Sequence, residues 1–166
     1  MISIKIENNR DFTRKLFIED VFDDFYLNKA EFVTNCRFEV DGELMMNFFD
    51  EEEQKSLSLE GRRFCLWKEL KPFCYQIIKG RRAPLSFRIL LSASARIPEC
   101  RTLLENAVET GVVSGFVLKF EFINKEILGA TGVSLNSFSL DRSLEHEWDE
   151  LVPQILSSHE ILFEKR

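Results

Sequence analysis

Apolar residues recur along this chain with two different periods, which predict where strands and helices lie. Ile2, Ile4 and Ile6 alternate with polar residues at the start of the chain, as in a strand with one buried face. The same alternation from Leu85 to Ala93 predicts another strand, with Arg88 on the face opposite the core. The segment EILFE near the end predicts a last short strand.

The segment from Phe25 to Val40 also has the character of extended chain. It is followed by Asp41 and Gly42, a pair that favours a tight hairpin turn because both central residues of a type I′ turn need positive φ. We therefore expect a return strand from Leu44 to Phe49. The acidic stretch at residues 50–61 is expected to be a loop or a frayed helical turn.

A second hairpin has a clearer pattern. Apolar side chains alternate through residues 116–122, and Asn124 with Lys125 supplies a two-residue turn. The register that this turn implies places Phe120 opposite Gly129, where the missing side chain would leave room for the aromatic ring.

Apolar residues three or four positions apart predict four helices. Asn8 or Asn9 is expected to cap the first helix, because a short polar side chain can accept from a free backbone N–H. Pro72 and Pro153 lie within two of the helical patterns, where proline must occupy the first turn or bend the helix. The four patterns start after the Asn cap, at Trp67, at Pro98 and at Leu144.

The stretch KGRRAP at residues 79–84 joins the second helix to the strand that follows it. Gly80 stands where a helix C-terminus favours a left-handed residue, and Lys79 lies at the negative end of the helix dipole. Pro84 prevents the helix from continuing. Every unusual residue of this stretch therefore has a structural role.

In chain order the predicted elements are βαββα, then βαββα again, then β. This order predicts an α+β fold with antiparallel sheets and packed helices, in a single domain over residues 1–166. Two arrangements fit the order. One is a tandem of two ferredoxin-like βαββαβ halves, at about 1–80 and 84–166, and the other is an antiparallel sheet with helices on one face.

Composition excludes several classes of protein. No run of 18 apolar residues occurs, and the first residues alternate in polarity, so we expect a cytoplasmic protein without a membrane segment. The cysteines lack CxxC spacing and lie far from both histidines in sequence, so neither a metal site nor a disulfide framework is expected. Buried or half-buried thiols are expected at positions 36, 65, 74 and 100.

The formal net charge of −6 conceals a basic segment. Residues 62–101 contain ten Lys and Arg against two acids, a net of +8, whereas the rest of the chain has twelve against 26. One interpretation is an anion-binding site. The other is that acids at 50–53 and 145–150 neutralise the segment. The candidate anion-binding residues are Lys79, Arg81, Arg82, Arg88, Arg62 and Arg63.

Catalytic chemistry has little support in the sequence. His146 and Glu150 are one helical turn apart and could form an acid–base pair, but no nucleophile or second histidine lies at a useful spacing. No catalytic residue, metal or cofactor is assigned, and a non-enzymatic protein is preferred.

The stretches IIKGRRAPLSF, DGELMMNFF, CLWKELKPF and LEHEWDEL resemble an uncharacterised family of small bacterial proteins of Firmicutes type, labelled as a domain of unknown function. The resemblance covers nearly the full length. It implies a bacterial cytoplasmic protein and carries no activity, cofactor or catalytic residue.

Two functions are therefore expected. The preferred one is a cytoplasmic binding protein whose basic segment at 62–101 contacts an anionic partner such as nucleic acid. The alternative is a protein-interaction or homodimeric assembly module. It would use a sheet edge or the second hairpin, which is rich in Phe over residues 116–122 and is called the Phe-rich hairpin.

Overall fold

Seven antiparallel strands and five α-helices make up the structure, a computed structural model that describes residues 1–166. The strands lie side by side in the order β3-β2-β4-β5-β6-β1-β7. The strands are β1 (Ser3–Ile6), β2 (Tyr26–Val33), β3 (Arg37–Asp41), β4 (Ser86–Ser92), β5 (Val113–Ile123), β6 (Glu126–Leu135) and β7 (Phe163–Lys165). The helices are α1 (Asn9–Phe17), α2 (Glu51–Ser56), α3 (Trp67–Ile78), α4 (Arg101–Thr110) and α5 (Ser143–Ser158).

One face of the sheet is apolar and forms the base of the core. A row of direct cross-strand partners runs over β2, β4, β5, β6 and β1, and its side chains are buried. Because side chains alternate between the two faces of a strand, the helices that cover this row bury every second residue of each strand. The row consists of Ala30, Ile89, Phe120, Gly129 and Ile4.

Two buried tryptophans attach helices to their neighbours. The indole N–H of Trp67 in α3 donates to the carbonyl of Leu16 in α1 at 2.7 Å. The indole N–H of Trp148 in α5 donates to the carbonyl of Val117 in β5 at 2.9 Å. Each bond satisfies a polar atom that would otherwise be costly to bury.

The α+β class and the second hairpin are confirmed. Asn124 and Lys125 both have positive φ, and Phe120 pairs with Gly129 in the expected register. A Cβ at Gly129 would lie 2.7 Å from Cγ1 of Ile4 and 3.3 Å from the Phe120 ring. The missing side chain therefore makes room mainly for Ile4 of β1.

The first hairpin differs from its prediction. Its turn lies at residues 34–36, where the N–H of Thr34 donates to the carbonyl of Cys36. Gly42 instead allows a close approach, because a Cβ there would lie 1.8 Å from the carbonyl oxygen of Leu27. No return strand follows: residues 46–48 form a 3-10 turn, and the acidic stretch contains the short helix α2.

The helical predictions hold in their main features. The Asn8 side chain caps α1 by accepting from the N–H of Asp11, and Gly111 ends α4 with φ of 67°. Pro72 and Pro153 lie inside α3 and α5. None of the helices is both long enough and apolar enough to cross a membrane.

The two halves proposed for the chain share one sheet. β1, from the first half, lies between β6 and β7, which come from the second. One cluster of buried residues likewise joins side chains of both halves. The structure therefore has one antiparallel sheet with packed helices, to which both halves contribute strands.

We expect Gly129→Ala to lower the free energy of unfolding by about 2 kcal/mol, because the new methyl group would overlap Ile4 inside the core. Urea titration followed by circular dichroism measures this change. The control is Gly115→Ala in the same hairpin, where an added Cβ meets no atom within 4 Å. Equal stability of the two variants would contradict the close approach of β1.

Candidate anion-binding groove

An open groove of about 1060 Å³ lies between α1 and the connection from α3 to β4. Its floor is at the end of the sheet where β4 begins and β5 ends. Five cationic side chains line it, and we call this site the basic groove. Its cations are Arg10, Arg14, Lys79, Arg82 and Lys125.

Two hydrogen bonds hold α1 in place along one side of the groove. The bond from Trp67 to Leu16 fixes the second half of the helix against α3. The side-chain amide of Asn9 donates to the carbonyl of Lys125 at 2.8 Å, which fixes the start of the helix against the β5–β6 turn. Arg10 and Lys125 therefore belong to two elements that are bonded to each other.

The stretch at residues 79–84 supplies the other side. The N–H of Lys79 donates to the carbonyl of Tyr75 at 2.9 Å and closes α3. Gly80 follows with φ of +140°, a positive value that favours glycine, as expected for this position. The N–H of Leu85 then donates to the carbonyl of Val33, where the pairing of β4 begins. The segment at 79–84, which the sequence predicted to end the helix, therefore also forms one side of the groove.

The floor of the groove is apolar. Phe87 of β4 and Phe122 of β5 are cross-strand partners whose rings are nearly parallel, with centroids 5.5 Å apart. Phe87 is buried, whereas Phe122 is half-buried. Ile18, Tyr75 and Ile78 also line the floor and sides.

Most of the cations of the basic groove have no acidic partner. Arg14 is the exception: it forms ion pairs with Asp11 and Glu19. Hydrogen bonds from Lys15 and Arg14 hold the pKa of Asp11 below its usual value, so this carboxylate is ionised at neutral pH. Asp11 is the only acid that lines the groove. The remaining cations, which take part in no ion pair, are Arg10, Lys79, Arg82 and Lys125.

The six residues proposed from the sequence do not form one patch. Lys79 and Arg82 line the basic groove, and Arg81 is exposed in the same connection without lining it. Arg63 is exposed and lies over the ring of Phe64, with its guanidinium carbon 5.0 Å from the centroid.

Arg62 and Arg88 each form an ion pair with an acidic side chain. The side chain of Arg62 is 7% exposed, and its guanidinium pairs with Glu69 at 2.7 Å. Burial favours the neutral form of Glu69, but hydrogen bonds from Arg62 and from a backbone N–H outweigh it and keep the pKa below its usual value. Arg88 pairs with Glu121 at 2.8 Å on the sheet face opposite the core. Neither residue belongs to the basic groove.

The basic segment is partly neutralised, but by different acids from those expected. Lys68 pairs with Asp24 at 3.2 Å, and Lys71 forms an ion pair with Asp23. Residues 50–53 and 145–150 make no ion pair with the segment at 62–101. The segment is therefore divided between cations that stabilise the fold and cations that face solvent.

Three cations of the groove were missed by the sequence analysis. Arg10 and Arg14 are four residues apart on α1, a spacing that places them on one helix face. Lys125 was identified only as a turn residue. These three cations line the groove because the fold brings α1 and the β5–β6 turn beside residues 79–84.

The acid–base pair considered on α5 exists as a contact. Nε2 of His146 is 3.2 Å from Oε1 of Glu150, and both side chains are exposed. Neither residue lines the basic groove. No group of three or more His, Cys, Asp or Glu side chains is placed to hold a metal ion.

A family model described as "Family of unknown function (DUF5721)" matches residues 15–164 of the 166-residue chain. The protein belongs to this family. The resemblance to an uncharacterised domain family is thereby confirmed. Comparison with curated proteins and with solved structures found no match. Lys79, Arg82 and Lys125 of the basic groove lie within the matched residues, whereas Arg10 and Arg14 precede them.

The four cysteines are all free, and they differ in exposure. Burial raises the pKa of Cys74 to about 12, and burial with a nearby Glu99 charge does the same for Cys100. Burial and the charge of Glu69 raise the pKa of Cys65. Cys36 is exposed, which differs from the expectation of four buried or half-buried thiols.

We expect iodoacetamide to label Cys36 in the native protein well before Cys74 and Cys100. Cys74 and Cys100 are shielded from the reagent, and their raised pKa of about 12 leaves almost no thiolate, the reactive form, at neutral pH. Peptide mass spectrometry after short pulses of reagent measures the order, and urea-unfolded protein is the control in which all four should react. Rapid native labelling of Cys74 would contradict its burial in the core.

Proposed function

We propose that this protein binds nucleic acid without catalysing a reaction, and that the basic groove holds backbone phosphates. The observation that carries the proposal is the set of unpaired cations around one open groove: Arg10, Lys79, Arg82 and Lys125. Phosphate oxygens are the anions that clustered Lys and Arg side chains bind in nucleic-acid proteins. Arg81, exposed in the same connection, would extend the contact.

The net charge of −6 does not oppose this proposal. At physiological ionic strength, charges farther apart than about 8 Å are largely screened from one another. The field inside the groove is therefore set by its own lining, where the one carboxylate, Asp11, is already paired with Arg14 and Lys15. We expect the acidic residues outside the groove to lower the affinity for nucleic acid without changing where it binds.

The lining of the groove favours binding over catalysis. It contains no His, Cys or Glu, and its single Asp is held by two cations. The two cations lower the pKa of Asp11 and so weaken it as a general base, and the lining has no imidazole or second carboxylate to activate a nucleophile. A cytoplasmic location, as expected from the sequence, would give such a protein access to nucleic acid.

The alternative function, a protein-interaction or homodimeric module, has less support at the Phe-rich hairpin. The rings of Phe116 and Phe120 are fully buried under the helices, and the half-buried Phe122 lines the basic groove, so little aromatic surface of this hairpin is left for a second protein. Assembly through a sheet edge stays a prediction, because β3 and β7 are the outer strands.

We expect Lys79→Ala combined with Arg82→Ala to weaken binding of single-stranded RNA by about tenfold at low salt. Four phosphate contacts predict a wild-type slope of about −3 for the logarithm of the binding constant against the logarithm of salt concentration. Loss of two contacts should reduce the slope to about −1.4. Fluorescence anisotropy at several salt concentrations measures both quantities.

The matched control is Lys55→Ala combined with Arg96→Ala. These residues are also exposed and without ion pairs, they lie outside the basic groove, and their removal changes the net charge by the same amount. The control should bind like the wild type. Equal weakening in both double variants, or no binding by the wild type at low salt, would refute the proposal.

A further inference from the structure

The basic groove combines two kinds of surface that phosphate binding alone does not require. Its cations surround a floor on which apolar side chains remain accessible. Ile18, the residue that follows α1, is 60% exposed within this lining, and Phe122 and Tyr75 are half-buried. Apolar surface is left open to water here although the core lies directly beneath it.

The aromatic part of the floor is held rigidly. The ring of Phe122 is stacked on Phe87, and Phe87 in turn contacts the edge of Phe17 at a centroid distance of 5.7 Å. Phe17 packs against Trp67, the residue that fixes α1 to α3. A flat side chain packed against its cross-strand neighbour in this way offers a stacking surface with little conformational entropy left to lose.

The cations lie next to this surface along the chain as well as in space. Lys125 follows Phe122 by three residues and lies in the β5–β6 turn, and Arg82 precedes Phe87 by five. A ligand that fills the groove would therefore place its anionic groups beside a flat apolar group. A nucleotide unit, with a phosphate next to an aromatic base, has this combination.

We infer that the basic groove takes an unpaired nucleobase on the floor formed by Phe122, Tyr75 and Ile18 while its cations hold the adjoining phosphates, so that the preferred ligand is single-stranded nucleic acid. This inference rests on the proposed function and names the form of nucleic acid. A duplex keeps its bases paired and stacked and would offer the groove only its backbone. Stacking on aromatic side chains is the usual way in which single strands are held without sequence preference.

The test compares three ligands that share a phosphate backbone: a ten-nucleotide DNA strand, the same strand with abasic sites throughout, and the corresponding duplex. Fluorescence anisotropy with the full-length wild-type chain gives each affinity. The strand with bases is expected to bind about tenfold more tightly than the abasic strand and the duplex.

Two variants test the floor itself. Phe122→Leu keeps an apolar side chain over Phe87 and removes the aromatic face, and Ile18→Ser changes an exposed residue. Both should lower affinity for the strand with bases several-fold, with unchanged binding of the abasic strand and an unchanged salt slope. Ile18→Ser keeps the test decisive if Phe122→Leu perturbs folding.

The outcomes separate the two proposals. Equal, salt-sensitive binding of all three ligands would overturn the inference and leave the phosphate-binding function in place. No binding of any ligand at low salt would overturn the proposed function and the inference together. Adenosine 5′-monophosphate is included as a competitor: displacement at a lower concentration than the unlabelled strand requires would identify a free nucleotide as the ligand and would overturn the single-strand assignment.

Discussion

Burial of one face of the seven-stranded sheet is the constraint on which the other features depend. The strand β1 reaches its place in the middle of the C-terminal strands because Gly129 has no side chain to displace Ile4. The helix α1 follows β1 directly, and its Phe12 ring packs 4.7 Å from that of Phe120. The position of α1, and with it one side of the basic groove, is therefore a consequence of how β1 inserts into the sheet.

The fold determines which cations of this protein have an acidic partner and which do not. Acids on β2-flanking loops, on α3 and on β5 compensate four cations of the basic segment. Two of these cations, Arg62 and Lys71, have largely buried side chains, whereas Lys68 and Arg88 are exposed and their pairs contribute little stability individually. All four pairs compete with the binding of an external anion. The cations left without partners lie where α1, the α3–β4 connection and the β5–β6 turn meet. Function is therefore inferred from the charges that the fold leaves uncompensated.

Local sequence signals were accurate where a residue acts on its own neighbours. Asn8 caps a helix, Gly80 has a positive φ after the end of one, and the turn at Asn124 and Lys125 places Phe120 opposite Gly129. Gly42 was misinterpreted because a glycine serves either a positive φ or a close backbone approach, and the sequence does not distinguish the two. The contact that decides the matter, with Leu27, lies in another strand.

The sequence by itself determined the elements, the α+β class and the stretch at 79–84, because periodicity, caps and turns act over a few residues. It also identified Lys79 and Arg82 through the local excess of positive charge. Only the tertiary structure decided that Arg62 and Arg88 are paired while Arg10 and Lys125 join the groove. Ion pairing and groove formation depend on distances between atoms that are far apart along the chain, and those distances exist only once the sheet order has been set.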